Sequence, residues 1–200
     1  MKKFIIPMLL MISAIPAVNA QFTKIGGGIA AGTGIYFNNE TGIGSYRTGL
    51  PALFLTGIYE ITLPVHIAPS FSYYFPHITK TSVTGGETSK QAVSCMMFDI
   101  NGHYVFNSLD RFEFYALAGL NINLIGIKWI TEMNNTTVKT KDSDNSFGLN
   151  LGAGTYIKLT DQFDLYGEAK YILSKYDQFL FNVGVLINID WLIKHEDTGL

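Results

Sequence analysis

The chain has 200 residues, of which 15% are charged, 14% are aromatic and 20 are glycines. Soluble domains usually carry about 25% charged residues, so this composition is poor for a surface that faces water on every side. With 14 basic and 16 acidic residues, the sequence lacks the basic excess of a nucleic-acid-binding protein.

The N-terminal segment is predicted to be removed. Met1-Lys2-Lys3 is basic, residues 4–16 are apolar, and Val18-Asn19-Ala20 fits the small-x-small pattern of a signal-peptidase site. The apolar run is shorter than the 18 or so residues that a spanning helix needs. We therefore predict a cleaved signal peptide at residues 1–20 and an exported mature chain that begins at Gln21.

The mature chain alternates apolar residues with small or polar ones in eight segments, which is typical of β-strands with one apolar face. In chain order, the predicted strands cover residues 24–37, 50–61, 65–75, 96–106, 112–124, 147–158, 163–173 and 179–191. The last segment is the clearest, because every second residue is apolar: Phe179, Phe181, Val183, Val185, Ile187, Ile189 and Trp191. In the second segment Phe54 and Ile58 blur the alternation. An even number of long alternating strands predicts a closed antiparallel barrel.

The predicted connections are short on one side of the barrel and mostly long on the other. Tight turns follow the even-numbered strands at residues 62–64, 107–110 and 160–161, and polar loops follow the odd-numbered ones at residues 38–49, 76–90 and 128–146, with a short fourth connection at 174–176. The loop at 128–146 is charged and is predicted to be flexible. This asymmetry is typical of outer-membrane barrels, whose turns are periplasmic and whose loops are outside the cell.

Periodicity alone leaves open which face is inside. A soluble ligand-binding barrel of the lipocalin type would turn the apolar face inward. Here the other face is rich in Gly, Ala, Asn, Ser and Tyr and poor in charge, which suits a narrow lumen, whereas the apolar face is nearly free of charge, which suits lipid. We therefore predict that Val185→Arg, on the lipid face, harms assembly, and that Gly184→Ser, on the lumen face, does much less harm.

The predicted lumen contains ionisable residues, and buried charges must be paired. The sequence predicts that the lumen face contains a polar network of Lys24, Asp99, His103, Glu113, Glu168, Lys170 and Asp190. Three further ionisable residues are predicted on the same face: Glu60, Lys158 and Asp164. We expect Lys24 to pair with Asp190 across the seam between the first and last strands.

Several stretches resemble the small outer-membrane β-barrel family of the OmpX and OmpA-transmembrane type: residues 114–123, 147–156, 165–171 and the closing strand. The resemblance implies an all-β, eight-stranded antiparallel up-and-down transmembrane β-barrel over residues 21–191, inserted into the outer membrane by the assembly machinery. Members of the family usually end on the aromatic residue of the last strand. Here Trp191 is followed by residues 192–200, which we expect to form a short periplasmic tail.

The expected function is a structural scaffold that displays polar extracellular loops for surface interaction, because an eight-stranded barrel is just wide enough to be filled by side chains. A narrow pore for small solutes and a lipid A-modifying enzyme remain alternatives. Such an enzyme needs a histidine with a serine and a carboxylate at the outer rim or facing lipid, and only His77 is predicted on the loop side. We expect no catalytic, cofactor-binding or metal-binding residues and no nucleic acid. We expect a monomer surrounded by outer-membrane lipid, with a surface or periplasmic protein partner left open.

Overall fold

A computed structural model of the chain describes residues 22–33, 36–38, 45–47, 51–62, 64–83, 87–133 and 136–189. The predicted signal peptide, Asp190, Trp191 and the tail at 192–200 lie outside these residues. Within the described ranges, no helix has the length and apolar character needed to cross a membrane.

Eight long strands close into one antiparallel barrel, so the predicted eight-stranded up-and-down architecture is confirmed. The strands in chain order are β1 (Phe22–Gly32), β2 (Tyr36–Asn38), β3 (Ser45–Arg47), β4 (Ala52–Thr62), β5 (Val65–Val83), β6 (Glu87–Leu109), β7 (Phe112–Met133), β8 (Thr136–Lys158), β9 (Phe163–Ser174) and β10 (Gln178–Asn188). Around the barrel the order is β1, β10, β9, β8, β7, β6, β5 and β4, and β4 pairs again with β1. Strands β2 and β3 form a separate two-stranded sheet between β1 and β4. The first predicted strand is therefore too long: β1 ends at Gly32, and Tyr36 and Phe37 belong to β2.

The apolar residues of β10 lie on the outside of the barrel. Phe181 and Val183 are each 53% exposed, and Val185 and Ile187 are also exposed, whereas Phe179 is half-buried. Ile189 is half-buried and follows the end of the strand. The alternate residues of β10 point inward and are buried: Gln178, Leu180, Asn182 and Leu186. The outer surface is therefore the more apolar one, as a barrel surrounded by lipid requires.

The interior is less polar than the sequence pattern indicates. Phe54 and Ile58, which blurred the alternation of the second predicted strand, are buried inside the barrel. They belong to a buried apolar cluster that also includes Leu180 and Ile172. Apolar and polar residues therefore both fill the lumen, and an inward-facing position is not always occupied by a polar residue.

Glycines bring β1 and β10 unusually close together. A Cβ atom added at Gly184 would overlap the carbonyl oxygen of Gly27 and stand 2.9 Å from Cζ of Phe54. Serine at position 184 therefore has no space, and the expectation that Gly184→Ser is mild is contradicted. At Gly167 in β9, by contrast, an added Cβ would meet only Cγ2 of Thr155, at 3.7 Å.

Four consecutive strands are far longer than a membrane crossing requires. Strands β5, β6, β7 and β8 have 19, 23, 22 and 23 residues, whereas about 9–11 tilted residues span a bilayer. The prediction that residues 76–90 and 128–146 form polar loops, the second of them flexible, is therefore wrong: most of these residues continue the strands. Trp129, in the second of these predicted loops, lies within β7. In water both faces of a sheet can be polar, so the alternation fades although the backbone pairing continues.

The long strands project beyond the rest of the barrel rim. Strand β8 has β9 as its neighbour only from Gly148, which pairs with Ser174, and β5 has β4 as its neighbour only up to Tyr74. We call the projecting part the outer extension. It consists of residues 75–83 of β5, 87–94 of β6, 126–133 of β7 and 136–147 of β8.

Candidate functional site

A buried ion pair lies at the centre of the barrel. The Nζ atom of Lys170 is 2.8 Å from Oδ2 of Asp99, and both side chains are almost fully buried. Asn121 and Asn150 donate hydrogen bonds to the other oxygen of Asp99, at 2.6 and 2.9 Å, and the hydroxyl of Ser70 donates to Oδ2 at 3.3 Å. A buried carboxylate is very unfavourable unless it is paired and hydrogen-bonded, and Asp99 meets both conditions.

The same lysine also approaches a second carboxylate. Nζ of Lys170 is 3.4 Å from Oε1 of Glu168, to which Asn182 donates a hydrogen bond at 3.1 Å. The hydroxyls of Tyr166 and Tyr115 donate to Oε2, the second of them at 3.2 Å. One cation is therefore shared between two buried carboxylates. Polar donors from several strands form the remaining hydrogen bonds to these carboxylates.

Aromatic rings pack against this network. The ring of His103 stacks on that of Tyr115 with centroids 4.2 Å apart and an interplanar angle of 9°. Nδ1 of His103 is 2.5 Å from the hydroxyl of Tyr156, and Nε2 is 3.6 Å from Oε2 of Glu168. Side chains from the four consecutive strands β6 to β9 meet here inside the barrel, so this layer of the lumen is occupied by protein.

The structure brings four members of the predicted polar network together: Asp99, His103, Glu168 and Lys170. Lys24 contacts Asp164, with 2.7 Å between Nζ and Oδ2, and its predicted partner Asp190 lies outside the described residues. Glu113 lies apart from the central cluster. It lines a polar cavity of about 220 Å³ at the end of the barrel where the tight turns lie, together with Lys24 and Arg111.

Lys158 does not belong to the buried part of the lumen. It is the exposed last residue of β8 and lines the same cavity, with its Nζ 2.8 Å from Oδ1 of Asp161 in the turn that follows. Within the described ranges, no group of three or more His, Cys, Asp or Glu residues could hold a metal ion.

The residues that complete the central network were missed by the sequence analysis. They are the amides and hydroxyls that surround the two carboxylates: Ser70, Tyr115, Asn121, Asn150, Tyr156, Tyr166 and Asn182. All of them occupy inward-facing positions of their strands, so the alternation of inward and outward positions in the sequence would have placed them in the lumen. They are uncharged at neutral pH, so the pattern of charged residues does not identify them, although such neutral donors satisfy most of the hydrogen-bonding capacity of the two carboxylates.

A polar contact ties the outer extension to the turn between β9 and β10. Oδ2 of Asp144, in β8, is 2.6 Å from Nζ of Lys175 and accepts a second hydrogen bond from the hydroxyl of Tyr176. The hydrogen bonds from Lys175 and Tyr176 lower the pKa of Asp144, and the bond to Asp144 raises the pKa of Lys175. This contact holds the base of the long sheet against the short side of the rim.

We expect this tie to weaken in acid. The pKa of Asp144 is depressed in the folded state, so its contribution is complete above the ordinary carboxyl value of about 3.9 and is lost as pH falls through the folded value. Amide hydrogen exchange should therefore show constant protection of the 174–177 turn from neutral pH to about pH 4 and lower protection below it. In Asp144→Asn, protection should already be reduced at neutral pH and show no acid step. Equal protection of the two proteins at neutral pH would exclude the tie.

The sequence matches a family model along most of its length. The model describes the outer membrane protein beta-barrel domain and covers residues 4–187. No curated protein sequence matches the chain.

Solved structures of small outer-membrane barrels are similar in fold. The attachment invasion locus protein Ail of Yersinia pestis is 14% identical, with a TM-score of 0.51 over 84% of this chain and 99% of Ail. Neisserial surface protein A is 12% identical, with a TM-score of 0.51 over 84% of this chain and 98% of its own. A major outer membrane protein from Thermus thermophilus is 15% identical, with a TM-score of 0.57 over 82% of this chain and 98% of its own.

Proposed function

Because the chain belongs to the outer membrane protein beta-barrel domain family and is located in the outer membrane, we propose that it is a scaffold that presents the outer extension as a binding surface. One observation carries this proposal. Strands β5 to β8 continue as a paired sheet beyond the membrane-spanning part, while β9, β10, β1 and β4 end at the rim. Binding sites are commonly found on outer segments that a rigid scaffold holds in place.

The filled interior argues against a pore. Lys170, Asp99, Tyr115 and Tyr156 are each at most 2% exposed and contact one another or shared partners across the lumen. A solute pathway would have to separate a hydrogen-bonded ion pair from its partners, which is costly in a low-dielectric interior. We therefore favour a scaffold over a channel.

The positions of the histidines argue against lipid A chemistry. His66 and His103 are buried inside the barrel, where they pair with each other in register near the periplasmic half of β5 and β6. His77 is exposed in the outer extension, opposite Val93 in register, and among the residues that the structure describes no serine or carboxylate forms a hydrogen bond or an ion pair with it. A catalytic histidine for lipid A would have to reach the outer leaflet, at the opposite end of these strands. We propose that the protein is not an enzyme.

The proposal is tested by shortening the outer extension without disturbing the barrel. Residues 79–91 and 130–139 would each be replaced by an Asn-Gly turn, which joins antiparallel strands directly. The shortened protein should still shift between boiled and unboiled samples on a gel, because every strand pair of the barrel remains. Cells that carry it should attach to surfaces as poorly as cells that lack the gene.

Three results would contradict the proposal. Full attachment by cells with the shortened protein would show that the extension is not the binding surface. Stepwise conductance in planar bilayers would favour the pore. A changed lipid A mass spectrum between wild-type and gene-deleted cells would favour the enzyme.

A further inference from the structure

A row of four residues crosses one face of the outer extension, with one residue from each strand. The strand register places them directly beside one another in the order Thr79 of β5, Gln91 of β6, Trp129 of β7 and Thr140 of β8. Neighbouring strands of a sheet lie about 4.8 Å apart, so the row extends over about 14 Å. We call these four residues the inward row.

The inward row lies on the face of the sheet that continues the lining of the lumen. Two residues before Trp129 on the same strand is Ile127, which is buried inside the barrel. Six residues after Thr140 on β8 is Ser146, which is also buried. Alternate residues of a strand share a face, and the other two members of the row are paired with these strands in register. The row therefore faces the space above the lumen and not the outside of the barrel.

Trp129 provides an aromatic surface near the middle of the row. It packs against the buried apolar cluster of the barrel and remains partly exposed. Its indole N–H donates no hydrogen bond among the residues that the structure describes. Tryptophan combines a large apolar ring with one polar N–H group, so it suits a ligand that has both apolar and polar atoms.

Gln91, next to Trp129 in the row, has an unused hydrogen-bond donor. Its side chain is 6% exposed, and its Nε2 atom has no hydrogen-bond partner within the described ranges. Buried polar groups in native proteins normally have a partner, because a buried donor without one is unfavourable. A half-turn of the amide exchanges the positions of its nitrogen and oxygen, so this side chain can donate to a hydroxyl group at the inward face.

The two ends of the row add hydroxyl groups and no charge. Thr79 and Thr140 are exposed, and each hydroxyl can donate one hydrogen bond and accept two. Lys128 and Lys141 occupy the opposite face of the sheet, because each is adjacent in sequence to a residue of the row. Asp142 follows Thr140 by two residues and shares its face, so an anionic ligand would meet a carboxylate there. The row is therefore suited to a neutral polar ligand.

We propose that the inward row binds a neutral oligosaccharide, with one pyranose ring stacked on Trp129 and its hydroxyl groups hydrogen-bonded to Gln91 and the two threonines. A pyranose ring has an apolar face of C–H bonds, which the negative face of an indole ring attracts, and an edge of hydroxyl groups. A peptide that adds to a sheet would instead bind along a strand edge through its backbone. This inference rests on the proposed function, because it names the ligand class of one face of the outer extension.

The experiment uses the full chain in nanodiscs of phosphatidylcholine and titrates it with three neutral tetrasaccharides in a calorimeter. Cellotetraose represents a glucan, chitotetraose represents a polymer of N-acetylglucosamine, and lacto-N-neotetraose represents an animal cell-surface glycan. We expect at least one of them to bind. The one that binds most tightly identifies the source of the ligand.

The test variant is Trp129→Ala, which should bind that tetrasaccharide about 30-fold more weakly, as expected for the loss of a central tryptophan. The matched control is Ile130→Ala, which shortens a half-buried apolar side chain on the opposite face of the same strand and should bind like wild type. Thr140→Val provides a second measurement if Trp129→Ala fails to assemble. It changes an exposed residue, keeps its shape and removes one hydroxyl group, so binding should weaken about fivefold.

Three outcomes would overturn the proposal. They are no binding of any of the three tetrasaccharides, equal affinity of the test and control variants, and tighter binding of a heparin tetrasaccharide than of every neutral probe. If Trp129→Ala keeps the wild-type affinity while the shortened extension abolishes attachment, this inference fails and the scaffold function stands. If Trp129→Ala loses affinity while cells with the shortened protein attach fully, the oligosaccharide site stands and the role of the extension in attachment is removed.

Discussion

Replacing Lys170 with methionine is expected to destabilise the barrel by about 3–5 kcal/mol, the usual effect of removing one partner from a buried ion pair. Lys170 is 1% exposed and neutralises both Asp99 and Glu168. Methionine fills a similar volume but leaves two carboxylates in the lumen without a cation. Urea-induced unfolding in phosphatidylcholine vesicles, followed by tryptophan fluorescence, would measure the loss.

A second variant separates the lost charge pair from any change in packing. Adding Asp99→Asn to Lys170→Met removes one of the two uncompensated charges while keeping an oxygen that can accept from Asn121 and Asn150. The double variant should therefore be more stable than Lys170→Met alone. If the single variant unfolds at the wild-type urea concentration, the ion pair does not contribute to the stability of the barrel.

The arginine variant of Val185 should also assemble poorly, for a different reason. Val185 is exposed at 43% on the outer face of β10, where it pairs with Gly27 and Leu165 in the membrane-spanning part. An arginine facing lipid near the bilayer midplane costs roughly 2–4 kcal/mol. The heat-dependent gel shift of protein recovered from outer-membrane fractions would measure the fraction that assembles. The same substitution at Val138, exposed in the outer extension, should have little effect, and equal assembly of the two variants would contradict the lipid-facing assignment of β10.

Two glycine variants test the space between neighbouring strands in the same region. Gly184→Ser should cost roughly 1–3 kcal/mol, because the added Cβ overlaps the backbone of β1. Gly167→Ser in the neighbouring strand should be nearly neutral, because its Cβ would make one ordinary contact. Urea-induced unfolding would compare the two, and equal stability would argue against the close approach of β1 and β10.

The closed barrel could be predicted from the sequence because the outward face of its membrane-spanning part must be apolar on every strand. Each outward row must then be apolar, so Val183 and Val185 define the parity of β10 without any knowledge of its neighbours. The inward face is constrained only by volume, and Phe54 and Ile58 are accommodated there beside amides. In the outer extension neither face meets the hydrocarbon core. The alternation of apolar and polar residues is therefore absent, and it cannot distinguish a strand from a loop there.

The sequence could predict which charged residues lie in the lumen, but not which of them form ion pairs with each other. The acidic and basic residues have inward parity, but a pair forms only when strand register and tilt bring two side chains to the same height. Lys24 pairs with Asn188 in register and reaches past β10 to Asp164 on β9, a neighbour that no linear pattern reveals. Lys170 likewise contacts both Asp99 and Glu168 only because Asp99 on β6 lies at the same height in the lumen as Lys170 on β9.

The seam between β1 and β10 has a consequence for the order of folding. Its paired residues are roughly 160 positions apart in the chain, whereas successive strands from β4 to β10 are joined as hairpins. Contacts of long sequence separation form late, because the loop-closure entropy must be lost before they contribute. Until the glycines of β1 meet β10, the sheet is an open ribbon with two unpaired edges, each able to recruit another chain. Closure of this one seam is therefore the step that converts an aggregation-prone sheet into a monomeric barrel.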